Sequence, residues 1–322
     1  MTTHPQWTNV AVVGAGTIGL SWAALFAARG ARVRITDPRD DLKQVVEDEI
    51  PTLSAGIPGS DPELLRERIQ PAADLAEAVA DAQLVQENGP ERLEFKQRLF
   101  ADIARLAPAE AVLASSSSGI VASDIAAELP DDVAARLLIA HPFNPPHVVP
   151  LVEIVPGERT GEQVVDAATA FYRELGKTPV RVHKEVSGFV ANRLQSALMQ
   201  EAISLVLGGV VSAEELDTVM KSSLGGRYAT IGPFESFHLG GGPGGIRHMM
   251  QHLGVGMAER WGELGHPALT SDAVAEIADQ TERAYGSGPD AYRRRAELRD
   301  RKHLALNDAL RDAGEDTSNS AR

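Results

Sequence analysis

The sequence predicts an α/β protein with an open, doubly wound sheet in its amino-terminal half and an all-helical carboxyl-terminal half. Three observations predict this. Strand-like and helix-like runs alternate from Asn9 to Val155, the pattern that builds a largely parallel sheet with helices on both faces. A glycine-rich turn, GAGTIG at 14–19, stands between the first strand and the first helix. From residue 187 onward the apolar spacing is helical, and no strand-like run persists.

Asn9 to Val13 reads as a short buried strand. Ser21 to Arg29 has helix-forming composition, and Gly30 stands where that helix would end. ARVRITD supplies a second strand, with Val33 and Ile35 alternating against polar neighbours, and Asp37 closes it 18 residues beyond Gly19. Strand, glycine turn, helix, strand and terminal acid together make the dinucleotide fingerprint of a Rossmann-type domain. Gly14 permits the tight turn, Gly16 lets a pyrophosphate approach the backbone, and Gly19 allows close helix–strand packing. Thr17 and Ile18 complete the loop at the helix amino terminus, whose unpaired N–H groups suit phosphate. Asp37 would accept the ribose hydroxyls and repel a 2′-phosphate, so NAD is expected rather than NADP. Arg39 is the opposing charge and is expected to face solvent.

Further along, DAQLVQEN (81–88) and AVLASSSS (111–118) read as strands, with ERLEFKQRLFADIARL (91–106) as a helix between them. Ligands meet a parallel sheet at the carboxyl ends of its strands. Glu91, Ser115 to Ser118 and His141 all follow strand-like runs and so belong at that edge.

SGFVANRLQSALMQEAISLVLGG (187–209) reads as one long helix with Phe189, Leu194, Leu198, Ile203 and Leu205 as its apolar stripe. Gly208 and Gly209 would stop it. Ser212 and Glu215 form a capping box for the next helix. The domain border is expected at 185/186, giving a nucleotide-binding domain over 1–185 and a helical domain over 186–322. Gly314 to Arg322 reads as a frayed polar tail.

Composition narrows the function. A net charge of -14 argues against a nucleic-acid partner, which requires clustered positive charge. With no cysteine in the chain, disulfides, thiolate catalysis and Cys-ligated metals are excluded. Val10 to Ala28 carries no charge, but glycines interrupt it and no basic region precedes it, so neither a membrane span nor a targeting signal is read there. A cytoplasmic protein is expected. His248 and His252 share helical i,i+4 spacing, yet HMMQH lacks the glutamate of a zincin motif, and no metal site is expected.

The stretch IAHPFNPPHVVPLVEI (139–154) is the richest in chemistry. An enzyme that oxidises an alcohol needs a base for the hydroxyl proton while hydride leaves the carbon. Histidine suits that task, and a carboxylate on its second ring nitrogen fixes the tautomer and stabilises the imidazolium. If the runs around His141 and Glu153 pair as neighbouring strands, the two side chains can face one another. Spacing alone leaves a catalytic pair and a satisfied histidine beside a proline turn equally open. Asn144 lies in the same stretch as a further substrate-binding candidate, and His147 either lines the substrate pocket or faces solvent from the loop.

Taken with KEVSGFVANRL (184–194) and LGGRYATIGPFESFHL (224–239), HPFNPPHVVPLVE (141–153) makes the chain resemble the 3-hydroxyacyl-CoA dehydrogenase superfamily. It most resembles the branch of lambda-crystallin and L-gulonate 3-dehydrogenase. The resemblance covers nearly the whole chain. It implies that His141 abstracts the hydroxyl proton with Glu153 as its partner, and that Ser118 (Ser117 being the alternative) and Asn192 bind substrate oxygens. It further implies cofactor contacts from Glu91 and Lys96, and a homodimer built through a carboxyl-terminal dimerisation domain.

For the substrate, the segment from Pro38 to Gly89 is the informative one. Acyl-CoA members carry a lysine-rich hairpin there, whereas DDLKQVVEDEIPTLSAGIPGSDPELLRERI holds one lysine among many carboxylates. That charge would repel a polyanionic CoA. A small free acid needs its carboxylate recognised instead, and Arg227 offers a planar fork for it. The expectation is therefore NAD-dependent oxidation of a small L-3-hydroxy acid, with L-gulonate the named candidate. An L-3-hydroxyacyl-CoA dehydrogenase is the alternative. L-carnitine is a third option, set back because EVSGFVANR and GGRYATIGP depart from that branch. A non-catalytic, crystallin-like NAD-binding protein is the remaining class.

Overall fold

The computed structural model describes residues 7–313, so the polar tail from Gly314 lies outside the described residues. They form two compact units, one through Arg193 and one from Leu194.

The first unit opens with β1 (Asn9–Val13), α1 (Thr17–Ala28), β2 (Arg32–Thr36), α2 (Leu42–Ala55), α3 (Pro62–Arg68) and β3 (Ile69–Pro71). It continues with α4 (Leu75–Val79), β4 (Leu84–Glu87), α5 (Leu93–Leu106) and β5 (Val112–Ser115). Short helices α6 (Ala122–Ile125) and α7 (Asp131–Ala134) lead to β6 (Leu137–Pro142), β7 (Leu151–Pro156), α8 (Glu162–Glu174) and β8 (Thr178–Arg181).

The eight strands make one sheet in the order β3-β2-β1-β4-β5-β6-β7-β8. The first six run parallel, β7 returns antiparallel to β6, and β8 follows β7 in parallel. The return is forced by the connection. A parallel crossover takes roughly a dozen residues or more, and the proline-rich loop 143–150 is too short for one. From β1 the chain passes to β2 on one side and, later, to β4 on the other. That reversal leaves a crevice at the carboxyl ends of β1 and β4, where such sheets bind ligands.

Alternate residues of each strand feed two apolar layers. Val10 and Val12 pack with α1, α2 and α8, while Ala11, Val13, Val85 and Leu113 pack with α4, α5 and α6. This accounts for the uncharged run from Val10 to Ala28: β1 is central in the sheet, and α1 is buried from Gly19 to Ala27. No helix of the described residues is long and apolar enough to cross a membrane.

α9 (Ala191–Leu207) starts in the first unit and carries the chain into the second. There follow α10 (Ala213–Met220), α11 (Gly226–Thr230), α12 (Pro233–Gly240), α13 (Gly245–Trp261), α14 (Ser271–Tyr285) and α15 (Gly288–Asp312). The capping box of Ser212 and Glu215 opens α10 as expected. The helix expected from 187 begins four residues later. Gly188 at φ +75° and Phe189 at φ +48° are left-handed, a conformation a right-handed helix cannot include. Phe189 is correspondingly buried in the first unit, not on a helix stripe.

Candidate active site

The nucleotide turn has the geometry its glycines foretell. Gly14 adopts φ +98°, and a Cβ there would meet the Asn88 carbonyl at 2.9 Å. A Cβ on Gly19 would meet the Gly14 carbonyl oxygen at 1.8 Å, so helix and turn touch as only glycine allows. At Gly16 an added Cβ meets nothing within 4 Å, which leaves the face that a pyrophosphate needs. Gly16 is also the N-cap of α1 and makes no side-chain cap, so the first-turn amides of Thr17 and Ile18 face that space. Asp37 accepts from the Ala15 amide at 2.8 Å and stands at the end of β2. Arg39 is exposed and paired with Asp41 at 2.6 Å. These residues fit a dinucleotide with unphosphorylated ribose.

Two strands along the sheet from β4, β6 and β7 bring His141 opposite Glu153. The His141 Nδ1 lies 2.8 Å from Glu153 Oε2, and both side chains are buried. An ionised carboxylate only accepts, so Nδ1 carries the proton and Nε2 presents its lone pair. The second carboxylate oxygen is used too. Glu153 Oε1 accepts from the amides of Val190 at 2.8 Å and Ala191 at 3.0 Å, at the start of α9. Burial raises the Glu153 carboxyl. The hydrogen bonds from His141 and from the two amides outweigh it and hold the group below the usual carboxylate range.

The serine loop follows β5. Glu91 Oε1 gathers its donors: the Ser117 hydroxyl at 2.7 Å, and the amides of Ser118 and Gly119 at 2.9 Å each. Partial burial works to raise the Glu91 carboxyl, but Ser117, Lys96 and the loop amides together lower it. Ser117 is buried, and its oxygen also serves the Ile120 amide at 2.9 Å. Ser118 is exposed, with its hydroxyl 3.5 Å from Glu91. The Asn192 side-chain amide donates to the Ser118 carbonyl at 3.1 Å, so the loop and the start of α9 are joined.

Residues 9–186 match the model of the 3-hydroxyacyl-CoA dehydrogenase NAD binding domain, and residues 188–267 match that of the C-terminal domain. The chain belongs to the 3-hydroxyacyl-CoA dehydrogenase family. It is an NAD-dependent oxidoreductase of that family. An L-carnitine dehydrogenase of Nocardiopsis dassonvillei is 40% identical over 316 residues, covering 96% of this chain and 93% of the relative. A 3-hydroxyacyl-CoA dehydrogenase of Gibberella moniliformis is 44% identical over 249 residues, covering 76% and 77%. Among solved structures, an NAD+-dependent dismutase, FHMPC 5-dehydrogenase, superposes at a TM-score of 0.79. It is 26% identical, covering 95% of this chain and 99% of its own. A 3-hydroxybutyryl-CoA dehydrogenase from Escherichia coli gives 0.61 at 31% identity, covering 73% and 50%.

In this member of the 3-hydroxyacyl-CoA dehydrogenase family, the remaining candidate side chains differ in exposure. Lys96 is 1% exposed, and its ammonium lies 2.9 Å from both oxygens of Glu87. It reaches the ligand edge through its neighbours Gly89 and Glu91, not through a surface of its own. His147 packs against α1, with its ring Nδ1 2.7 Å from Ser21 Oγ and its Nε2 where a Gly56 side chain would be. It is half-buried, held between α1 and the end of α2. Asn144 is exposed on the β6–β7 loop, and Arg227 is exposed on α11 in the second unit. Glu87 and Phe189 were missed. Phe189 packs its ring 5.4 Å from the His141 ring, and the glycine before it, at a helix start, was the available signal.

Proposed function

We propose that the chain oxidises the 3-hydroxyl of a small, free L-3-hydroxy acid to the 3-keto acid, with His141 as general base. The observation that carries this reading is the doubly anchored Glu153, which holds His141 in the tautomer a base requires. NAD, when bound, accepts the hydride. His141 Nε2 takes the hydroxyl proton, and the imidazolium that forms is stabilised by Glu153. Ser118 and Asn192 hold the substrate oxygens. Asn192 spends one N–H on the Ser118 carbonyl and keeps a second donor and its own oxygen.

Charge supports a free acid over a CoA thioester. The arginines around α2 and α3 are engaged at home: Arg66 binds Glu47 and Glu63, Arg68 caps the Ala27 carbonyl, and Arg39 binds Asp41. Lys43 alone among the cations of α2 and α3 is exposed with no ion pair. One free lysine among the many carboxylates of this region makes a poor clamp for the phosphates of CoA. Among free acids, relatives named L-carnitine dehydrogenase align with nearly the whole chain, which outweighs two short motif differences. L-Carnitine is therefore tested ahead of L-gulonate. Arg227 is the cation we assign to the acid's carboxylate. We further propose a homodimer through the second unit, which exposes Phe234, Val210 and Leu194 by 84%, 66% and 64%.

The deciding experiment supplies NAD and follows NADH from L-carnitine, L-gulonate and L-3-hydroxybutyryl-CoA. Turnover of a free acid that His141→Gln abolishes is the expected result. Turnover of the thioester alone would overturn the charge argument. NAD binding with no turnover of any of the three would leave the crystallin-like reading.

A further inference from the structure

The loop between His141 and Glu153 holds itself only in part, through the Val148 and Val149 amides on the Pro145 carbonyl. Pro142, Pro145, Pro146 and Pro150 lack N–H groups, so little of its backbone can pair in a ladder. Its carbonyls need donors from elsewhere. Two of them, on Pro146 and Val149, find the same donor, the ammonium of Lys177.

Lys177 is an unusual residue for this duty. It sits between α8 and β8, is 7% exposed, and has no carboxylate within ion-pair distance among the described residues. Its Nζ lies 5.5 Å from the centre of the Trp22 ring on α1. Burial without a counter-ion pushes its ammonium down to about 7. A cation so placed is unfavourable for folding unless its hydrogen bonds are needed.

The surroundings show what it joins. The same loop is tied to α1 a second time, by the His147 amide donating to Ser21 Oγ at 2.9 Å. Trp22 is the residue after Ser21, and its indole N–H donates to Ser116 Oγ at 3.2 Å, in the serine loop. Ser116 in turn donates to Asn88 at 2.7 Å, the residue whose carbonyl crowds Gly14. At its near end, the loop carries Phe143, whose ring stands edge-on to His141 at 5.9 Å.

We propose that Lys177 is a positioning residue that fixes the β6–β7 loop against α1 and so sets where His141 stands relative to the nucleotide turn. The inference rests on His141 being the base. Lys177 touches neither substrate nor cofactor; it acts through the loop carbonyls. Its loss should leave the nucleotide site intact and misplace the proton acceptor, an error that costs about 100-fold when it reaches an ångström.

The test compares wild type, Lys177→Met, Lys177→Gln and His141→Gln. NAD affinity is read by calorimetry and turnover with the acid that the wild type accepts. For Lys177→Met the expected result is an NAD dissociation constant within about threefold of wild type, and kcat lowered roughly 10- to 100-fold. Lys177→Gln, which retains a donor, should fall between them. If both variants keep kcat within twofold, or lose NAD binding in parallel with kcat, the proposal is overturned. Activity surviving in His141→Gln would instead sink the base assignment. Hydrogen exchange on the wild type needs no variant to fold. The Val148 and Val149 amides, both bonded to the Pro145 carbonyl, should exchange at least 100-fold more slowly than in a free peptide, and free-peptide rates would refute a held loop.

Discussion

Glu153 holds His141 through one oxygen and is itself anchored through the other, and the two contacts can be separated by one conservative change. In Glu153→Gln the amide can still accept from Val190 and Ala191 with its oxygen. Its NH2 then faces His141 Nδ1 and demands a lone pair there, which moves the ring proton to Nε2 and removes the base. Turnover should fall about 10³- to 10⁴-fold, as when a catalytic carboxylate is made an amide elsewhere, with NAD affinity unchanged. The same change alters acid stability. Because the folded carboxyl titrates below its unfolded value of about 4.3, the unfolded chain binds more protons in that window. The stabilisation is present above that value and is lost as pH falls through the lower folded value. Melting temperature should therefore drop more steeply below about pH 4 in wild type than in Glu153→Gln. Ser117 and Ser118 separate as sharply. Ser118→Ala should lower kcat/KM by tenfold or more at unchanged stability. Ser117→Ala, which strips Glu91 and the Ile120 amide of a partner, should cost about 1 kcal/mol in urea denaturation.

At the scale of elements, the glycine turn allows a paired prediction. Gly16→Ala should fold like wild type, since its methyl meets open space, yet weaken NAD binding tenfold or more in calorimetry. Gly19→Ala must push α1 off the Gly14 carbonyl and should lose stability as well as NAD. The β4–α5 junction offers another. Lys96→Met strands Glu87 as a buried, uncompensated charge and should cost about 3–5 kcal/mol, and adding Glu87→Gln should recover most of it. What was readable beforehand follows the same logic. The βαβ unit was legible because its signals are local: apolar alternation, a glycine turn and a terminal acid within one short window. The facing of His141 and Glu153 was legible only as an alternative, since it depends on two strands pairing across a turn. Strands β3 and β8 were missed. Each is short and lies at an edge of the sheet, so half-exposed residues blur its alternation. The start of α9 was misread because helical spacing of apolar residues carries no information on φ at Gly188 and Phe189. The burial of Lys96 was invisible because its partner, Glu87, had not been recognised.

For the whole molecule, the second unit buries few of its large apolar side chains, and the acidic chain keeps its excess negative charge in solution. The proposed homodimer would cover those side chains. Light scattering after gel filtration should give twice the 34.3 kDa chain mass, and Phe234→Glu should shift that towards the monomer. A monomer at every concentration would end the homodimer proposal.

The two amides on Glu153 have a consequence for how the enzyme is made. His141 and Glu153 leave the ribosome well before Val190 and Ala191, so a nascent chain can pair the imidazole and carboxylate while the carboxylate still lacks half its donors. The carboxylate is fully anchored only once the turn that launches α9 has formed. A fragment cut short ahead of residue 190 would keep the nucleotide fingerprint but leave Glu153 Oε1 without its two amide donors, and should bind NAD without turning over the acid.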